Sequence, residues 1–456
     1  MSRALLIASV ASVSLGGCAT LPGVHQDARP DRVDALRPAT PAQWRYEFGD
    51  VAFRSLLDQA DLQSLDVKAA LARAQAADAA LASARAEGRP NLGAAFGASR
   101  VIPGQRPSQD QTATRAALDA GLNGAWAVDL SGRISSAIAA ADADKRASAI
   151  EVEIARATLA SELARAYVSV RVADDRLVRL ARREANEREA LALAQRRLQA
   201  GLTPSTEVLS RTQTLAAIAQ DQISARLTRK LALTRLAVLS GKSPGAVEVV
   251  PADLRSLAPN DAEVHTDLAL QRYDVTVAEA RLAAADARRL EAARAALPRL
   301  SLGLTLGSSG NAGQPLFQRR NLALTPTVRI DGAILDGGAA KARARTAGSL
   351  ATEAEAVYVA TRLRAEEALV AVADRRAAVA ERERPTLEGL AAAQAQFRSS
   401  RLRLEAGRES RLESLDAERA LIDAEERAAD LRRECLDLSI DLEAARLGLP
   451  TSGSAP

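Results

Sequence analysis

The sequence predicts a mostly α-helical protein with a smaller transmembrane β part, built from one helix–hairpin–long helix–helix unit used twice. Three observations predict it. First, landmarks recur at nearly constant spacing: Gly132 to Gly338 and Gly201 to Gly407 are 206 residues, Gly241 to Gly448 is 207, and Pro90 to Pro298 is 208. Second, two segments alternate apolar and polar residues with period two, the strand period. Third, the rest is rich in Ala, Leu and Arg. Of 456 residues, 47% are hydrophobic and 26% charged but only 2% aromatic, which matches long helices and coiled coils rather than an aromatic-lined core.

Residues 1–17 read as a signal peptide. Arg3 precedes the apolar run Ala4 to Leu15, which is too short to span a bilayer. Leu15-Gly16-Gly17-Cys18 resembles a bacterial lipobox, so Cys18 is the expected lipidation site and the first residue of the mature chain. Residues 18–49, with Pro22, Pro30, Pro38 and Pro41, form an extended lipidated linker.

The first repeat is 50–241. A helix is expected from Asp50 to Glu87, ended by Gly88 and Pro90, then strands at about 91–134. A long helix follows from Ser135 to Ala200, stopped at Gly201, and a further helix runs from Thr203 to Ser240, closed by Gly241. A proline-rich linker occupies 242–260. The second repeat, 261–449, gives the same order: helix from Asp261 to Ala296, strands at about 298–338, long helix to Ala406, Gly407, helix to Leu447. Residues 450–456 are a tail. Each long helix would reach about 100 Å at 1.5 Å per residue. Pro385 is expected to interrupt or kink the second one, and Pro326 to bend its strand. Leu415, Ile422, Ala429 and Leu436 form a heptad stripe on the last helix.

The β segments carry the membrane reading. Leu118, Ala120, Leu122, Gly124, Trp126, Val128 and Leu130 alternate with residues that include Asp119, Asn123 and Asp129. Leu300 to Leu306 and Leu322 to Ile330 behave alike; Asn91 to Ile102 is a weaker case, with Leu92, Phe96 and Ile102 on one face. One apolar and one polar face suit strands with lipid on one side and water on the other, or soluble hairpins packed on the helices. Four strands cannot close a barrel, since the smallest use about eight. Strands that span must therefore be pooled between chains, and three copies would supply twelve.

In this order, and on this duplication, the chain resembles the TolC family of outer-membrane efflux proteins, in its lipoprotein (OprM/NodT-like) branch. The resemblance covers residues 1 to about 449. Trp126-Ala127-Val128-Asp129-Leu130-Ser131-Gly132-Arg133 is similar to the family's W-x-x-D-L-F-G-R, Leu335-Asp336-Gly337-Gly338 to F-D-G-G, and Leu415-Asp416-Ala417-Glu418-Arg419 to L-D-A-Q-R. Ala278-Glu279 matches the end of R-P-D-I-x-x-A-E, with Tyr273 in place of its Pro, and the C-terminal Gly-Gly-Gly-Trp of many relatives is missing. The resemblance implies a homotrimer whose twelve-stranded outer-membrane barrel continues into a periplasmic α-helical tunnel. It also implies a periplasmic adaptor and an inner-membrane pump of RND type as partners, with the pump supplying the energy.

Leu412, Asp416 and Arg419 stand at i, i+4 and i+7, on one helical face just after Gly407. By resemblance they form the periplasmic aperture, a Leu ring beside a carboxylate ring, with Arg419 tied to an acid on a neighbouring helix. A solvated helix face is the plainer alternative for Asp416. The positions 206 residues earlier, Thr206, Ser210 and Gln213, cannot supply that ring, so only the second repeat would gate. Gly201 and Gly407 stop helices, and by resemblance mark the tips that meet the adaptor. Cys435 is expected to be a small packing residue, and His265 has no assigned role.

The remaining composition excludes more than it suggests. Two His and two Cys are too few and too scattered for a His/Cys metal cluster, and no cofactor motif occurs. The 61 basic and 57 acidic residues interleave, which gives no nucleic-acid footprint. A hydrolase using clustered carboxylates lacks a nucleophile motif or a phosphate loop. The alternatives to a small-molecule efflux duct are a type I protein-secretion duct of the same fold and a pore-less periplasmic coiled-coil scaffold.

Overall fold

The computed structural model describes residues 48–101, 115–260, 270–311 and 318–451. Cys18, His265 and the signal segment lie outside them. In chain order the elements are α1 (Val51–Gln63), α2 (Leu65–Glu87), β1 (Asn91–Val101), β2 (Arg115–Val128), α3 (Arg133–Gln199) and α4 (Ser205–Leu239), followed by α5 (Tyr273–Arg294), β3 (Arg299–Asn311), β4 (Leu322–Asp331), α6 (Ala339–Glu405) and α7 (Arg411–Leu447). The two long helices, α3 and α6, are 67 residues each, about 100 Å at 1.5 Å per residue. No helix among the described residues is long and apolar enough to cross a membrane.

Helix ends follow one chemistry in both repeats. At Gly201, Gly241, Gly407 and Gly448 the backbone turns left-handed, with φ of 71°, 67°, 67° and 83°. The next amide then reaches back five residues: Leu202 N to Arg197 O at 2.8 Å, Arg408 N to Arg403 O at 2.8 Å. These bonds satisfy carbonyls the helix leaves open, and only glycine takes such φ values without strain. The long helices start alike. The Asp129 carboxylate accepts from the amides of Ile134 (3.1 Å) and Ser135 (2.7 Å), and Asp336 from those of Gly338 (2.9 Å) and Ala340 (2.6 Å). Both aspartates stand just before a glycine with positive φ, Gly132 or Gly338.

The four strands make one antiparallel sheet in the order β1-β2-β3-β4. Its register puts Ala94, Leu122, Leu306 and Leu324 in one row, and Trp126, Leu302 and Val328 in another. Asn123, Thr305 and Thr325 share a row of opposite parity. All four strands therefore turn their apolar residues to one face and their polar residues to the other. Both faces are largely open: Leu92, Phe96, Leu324 and Ile330 are each more than 60% exposed.

Packing centres on α3. Phe48, Phe53 and Tyr167 meet with ring centroids 5.0 Å (Phe48–Phe53) and 5.3 Å (Phe53–Tyr167) apart, among Leu163, Leu236, Leu257 and Ile440. Polar bonds cross this core. The Tyr167 hydroxyl donates to Asp50 at 2.6 Å, and Arg171 donates to Asp50 at 3.1 Å and to the Val250 carbonyl at 2.7 Å. Arg229 binds Asp174 at 2.6 Å and the Val249 carbonyl at 3.2 Å, which ties the segment between repeats to α3 and α4. Leu415, Ile422 and Leu436 of the heptad stripe are buried, Ala429 only partly.

Four expectations change. The first helix is two, broken at Ser64 (φ −55°, ψ 130°). There Gly241 packs so closely that a Cβ on it would lie 2.7 Å from the Gln63 carbonyl oxygen. Regular helix in α5 starts at Tyr273, twelve residues later than expected; residues 261–269 are outside the described set. Pro385 does not interrupt α6; it sits exposed, where water satisfies the carbonyl it frees. Pro326 stays within β4, paired with Leu304.

Candidate functional site

The start of α7 is fixed before any functional residue appears. Ser410 caps the helix reciprocally: its hydroxyl accepts from the Glu413 amide, and the Glu413 carboxylate accepts from the Ser410 amide at 2.8 Å. Glu409 accepts from Arg403 at 2.6 Å and Ser400 at 2.7 Å, closing the turn at Gly407. The Arg403 guanidinium, with Ser400, holds the Glu409 carboxyl below its usual range. Arg411 grips Glu189 of α3 with two bonds, at 2.6 and 2.7 Å, and so lowers the Glu189 carboxyl.

On this frame Leu412 is partly buried and the Asp416 side chain is 49% exposed. Arg419 reaches Glu187 of α3 at 2.9 Å and Asp416 at 3.1 Å. Arg211 of α4 reaches the same two carboxylates, Glu187 at 3.2 Å and Asp416 at 3.6 Å. Two arginines and two carboxylates thus close a ring of ion pairs, anchored on a Glu187 side chain only 2% exposed. Asn186 adds bonds to the Leu415 carbonyl at 3.0 Å and to Glu418 at 3.1 Å. Leu412 and Asp416 share the open side of α7, while Ser414, Leu415 and Ala417 are buried.

The arrangement clips three helices together and leaves one carboxylate facing outward. Sequence reasoning found Asp416 and Arg419 but not Glu187, Arg211 or Asn186. A signal was present. Counting 206 residues to the other repeat, Glu187 meets Ala393, Arg211 meets Ala417, Asp416 meets Ser210 and Arg419 meets Gln213. Every charged member has an uncharged counterpart.

Gly201 and Gly407 lie at the far ends of the two long helices from the sheet. A Cβ on either would meet no atom within 4 Å; Leu202 beside the first is 70% exposed. Cys435 is partly buried, and that burial pushes its thiol upward. Among the described residues no group of three His, Cys, Asp or Glu is placed to hold a metal.

A duplicated helical scaffold carrying one amphipathic sheet, with ion-paired helix ends opposite, defines a membrane transport protein of the channel type. The chain belongs to the outer membrane efflux protein family, which matches residues 56–242 and 265–446. It is 30% identical over 441 residues to the pyoverdine export outer membrane protein OpmQ of Pseudomonas aeruginosa, covering 89% of this chain and 90% of that one. It is 29% identical over 441 residues to outer membrane protein OprJ of the same organism, covering 91% and 89%. The solved outer-membrane channel OprN superposes with a TM-score of 0.77 at 26% identity, over 91% of this chain and 95% of that one. The protein is an outer-membrane efflux duct and performs no catalysis.

Proposed function

We propose that three copies pool their strands into a twelve-stranded outer-membrane barrel that continues into a periplasmic tunnel of helices. In this reading the duct is the exit of a tripartite system, tethered through lipidated Cys18. An RND-type inner-membrane pump passes small molecules to it through a periplasmic adaptor that touches the tips at Gly201 and Gly407. The register of the sheet carries the reading: one apolar face, one polar face and two unpaired edges, β1 and β4. An open amphipathic sheet is unstable in lipid until its edges close on one another.

At the other end, Leu412 and Asp416 on the open side of α7 would ring the three-fold axis as an apolar constriction beside a cation-favouring one. The Glu187–Arg211–Arg419 pairs hold that face in place. Single-channel recording in a planar bilayer tests the proposal. Small cation-selective currents that grow in Asp416→Ala support duct and aperture together. Unchanged currents move the aperture elsewhere, and absence of current from inserted protein refutes the duct. Cys18→Ser should still need detergent for extraction, as a barrel does and a scaffold held only by its anchor does not.

A further inference from the structure

Midway along the helices, away from the aperture cluster, α3, α4 and α7 enclose a groove of about 470 Å³. Its floor is apolar, with Val168 and Val172 of α3. Its walls carry three guanidinium groups, Arg165 and Arg176 of α3 and Arg433 of α7, against a single lining carboxylate, Asp437. Arg165 is committed to Asp441, whose side chain is 1% exposed, at 2.7 Å. Arg176 makes only a 3.4 Å contact to Asp221, and its Nε is buried with no partner. Arg433 meets Asp437 at 3.5 Å. Burial, with Asp441 nearby, pushes the Asp437 carboxyl above its usual range in spite of Arg433 and Arg165, which weakens it further as a counter-charge.

Cationic walls over an apolar floor match a ligand with an anionic head and a hydrophobic body, since guanidinium forks bind carboxylate and sulfonate oxygens in pairs. We propose that this groove binds a small amphipathic anion, a carboxylate or sulfonate on a flat apolar body. The head meets Arg176 and Arg433; the body lies on Val168 and Val172.

The test is isothermal titration of 2-naphthoate into the detergent-solubilised full chain, with 2-naphthamide as the neutral isostere and inorganic phosphate as the bare anion. Saturable binding of the naphthoate at one site per chain is expected, with affinity lost about tenfold or more in Arg176→Gln and in Arg433→Gln, the effect of removing one charge-assisted bond. Far-ultraviolet circular dichroism checks that both variants keep their helices. No saturable binding overturns the proposal, as does equal binding of the amide, or wild-type affinity in both variants. Phosphate binding as well as naphthoate overturns the amphipathic half of it.

Discussion

Glu187→Gln tests the ion-pair ring most directly, because it removes a buried charge and keeps its shape. Glu187 accepts from Arg419 at 2.9 Å and Arg211 at 3.2 Å. Hydrogen bonds to charged groups contribute about 1.5–3 kcal/mol each, so the low end gives about 3 kcal/mol for the two. Asp416 remains near both arginines but is half exposed, and an exposed pair returns about 1 kcal/mol at most. The net loss is about 2 kcal/mol per chain. If, as proposed, these pairs hold α7 closed and three chains open together, the closed state loses about 6 kcal/mol, roughly a 10⁴-fold shift toward open. Single-channel recording reads this as open probability. Glu187→Gln should open far more often than wild type while the melting temperature of the helices falls by only a few degrees. Wild-type open probability in a folded Glu187→Gln would refute the argument that these pairs hold α7 closed.

Two more outcomes follow from the fold. Burial would raise the Asp50 carboxyl, but the Tyr167 hydroxyl, the Ala52 amide and Arg171 together lower it. A carboxyl lowered on folding contributes stability above its unfolded value, near 3.9, and that contribution fades as pH falls toward the folded value. Asp50→Asn should therefore lower the melting temperature at pH 7 and flatten the acid limb of a stability–pH curve recorded by circular dichroism below about pH 4. Gly201→Ala and Gly241→Ala both place alanine at positive φ, a strain of about 1–3 kcal/mol. Only Gly241→Ala also drives a Cβ to 2.7 Å from the Gln63 carbonyl, so thermal melts should rank it clearly the more destabilising; equal melts would refute the close contact.

How much of this was legible in the sequence depends on the range of the interaction. Period-two alternation and glycine stops are local: the ends of α3, α4 and α6 and the C-terminal end of α7 fall within about two residues of expectation, while β2 starts three residues before the alternating run and β3 ends five residues after it. Ser64 is the N-cap of α2, a helix-start residue type inside a run otherwise read as one helix; Gly241, nearly 180 positions away, packs against the Gln63 carbonyl at the same break. Pro326 does not end β4, and Pro385 does not end α6, because a proline on an exposed helix face removes one hydrogen bond without forcing a break. At the site, Asp416 and Arg419 shared one helix face and could be read as a pair. Glu187 and Arg211 come from two other helices, and only a comparison of the repeats position by position would have singled them out.

The pairing of β2 with β3 has a consequence for ancestry and assembly. That ladder holds 12 residue pairs, against 11 for β1–β2 and 10 for β3–β4, so the joint between the repeats is as extensive as the hairpins within them. A forebear with one unit per chain would have had to make this joint between separate molecules. Carrying both units on one chain makes it intramolecular, a tethered encounter at millimolar effective concentration rather than a diffusive one. For a closed ring of strands it halves the number of molecules that must meet, and it lets the two halves carry different side chains, as the charged residues facing uncharged counterparts between the repeats do.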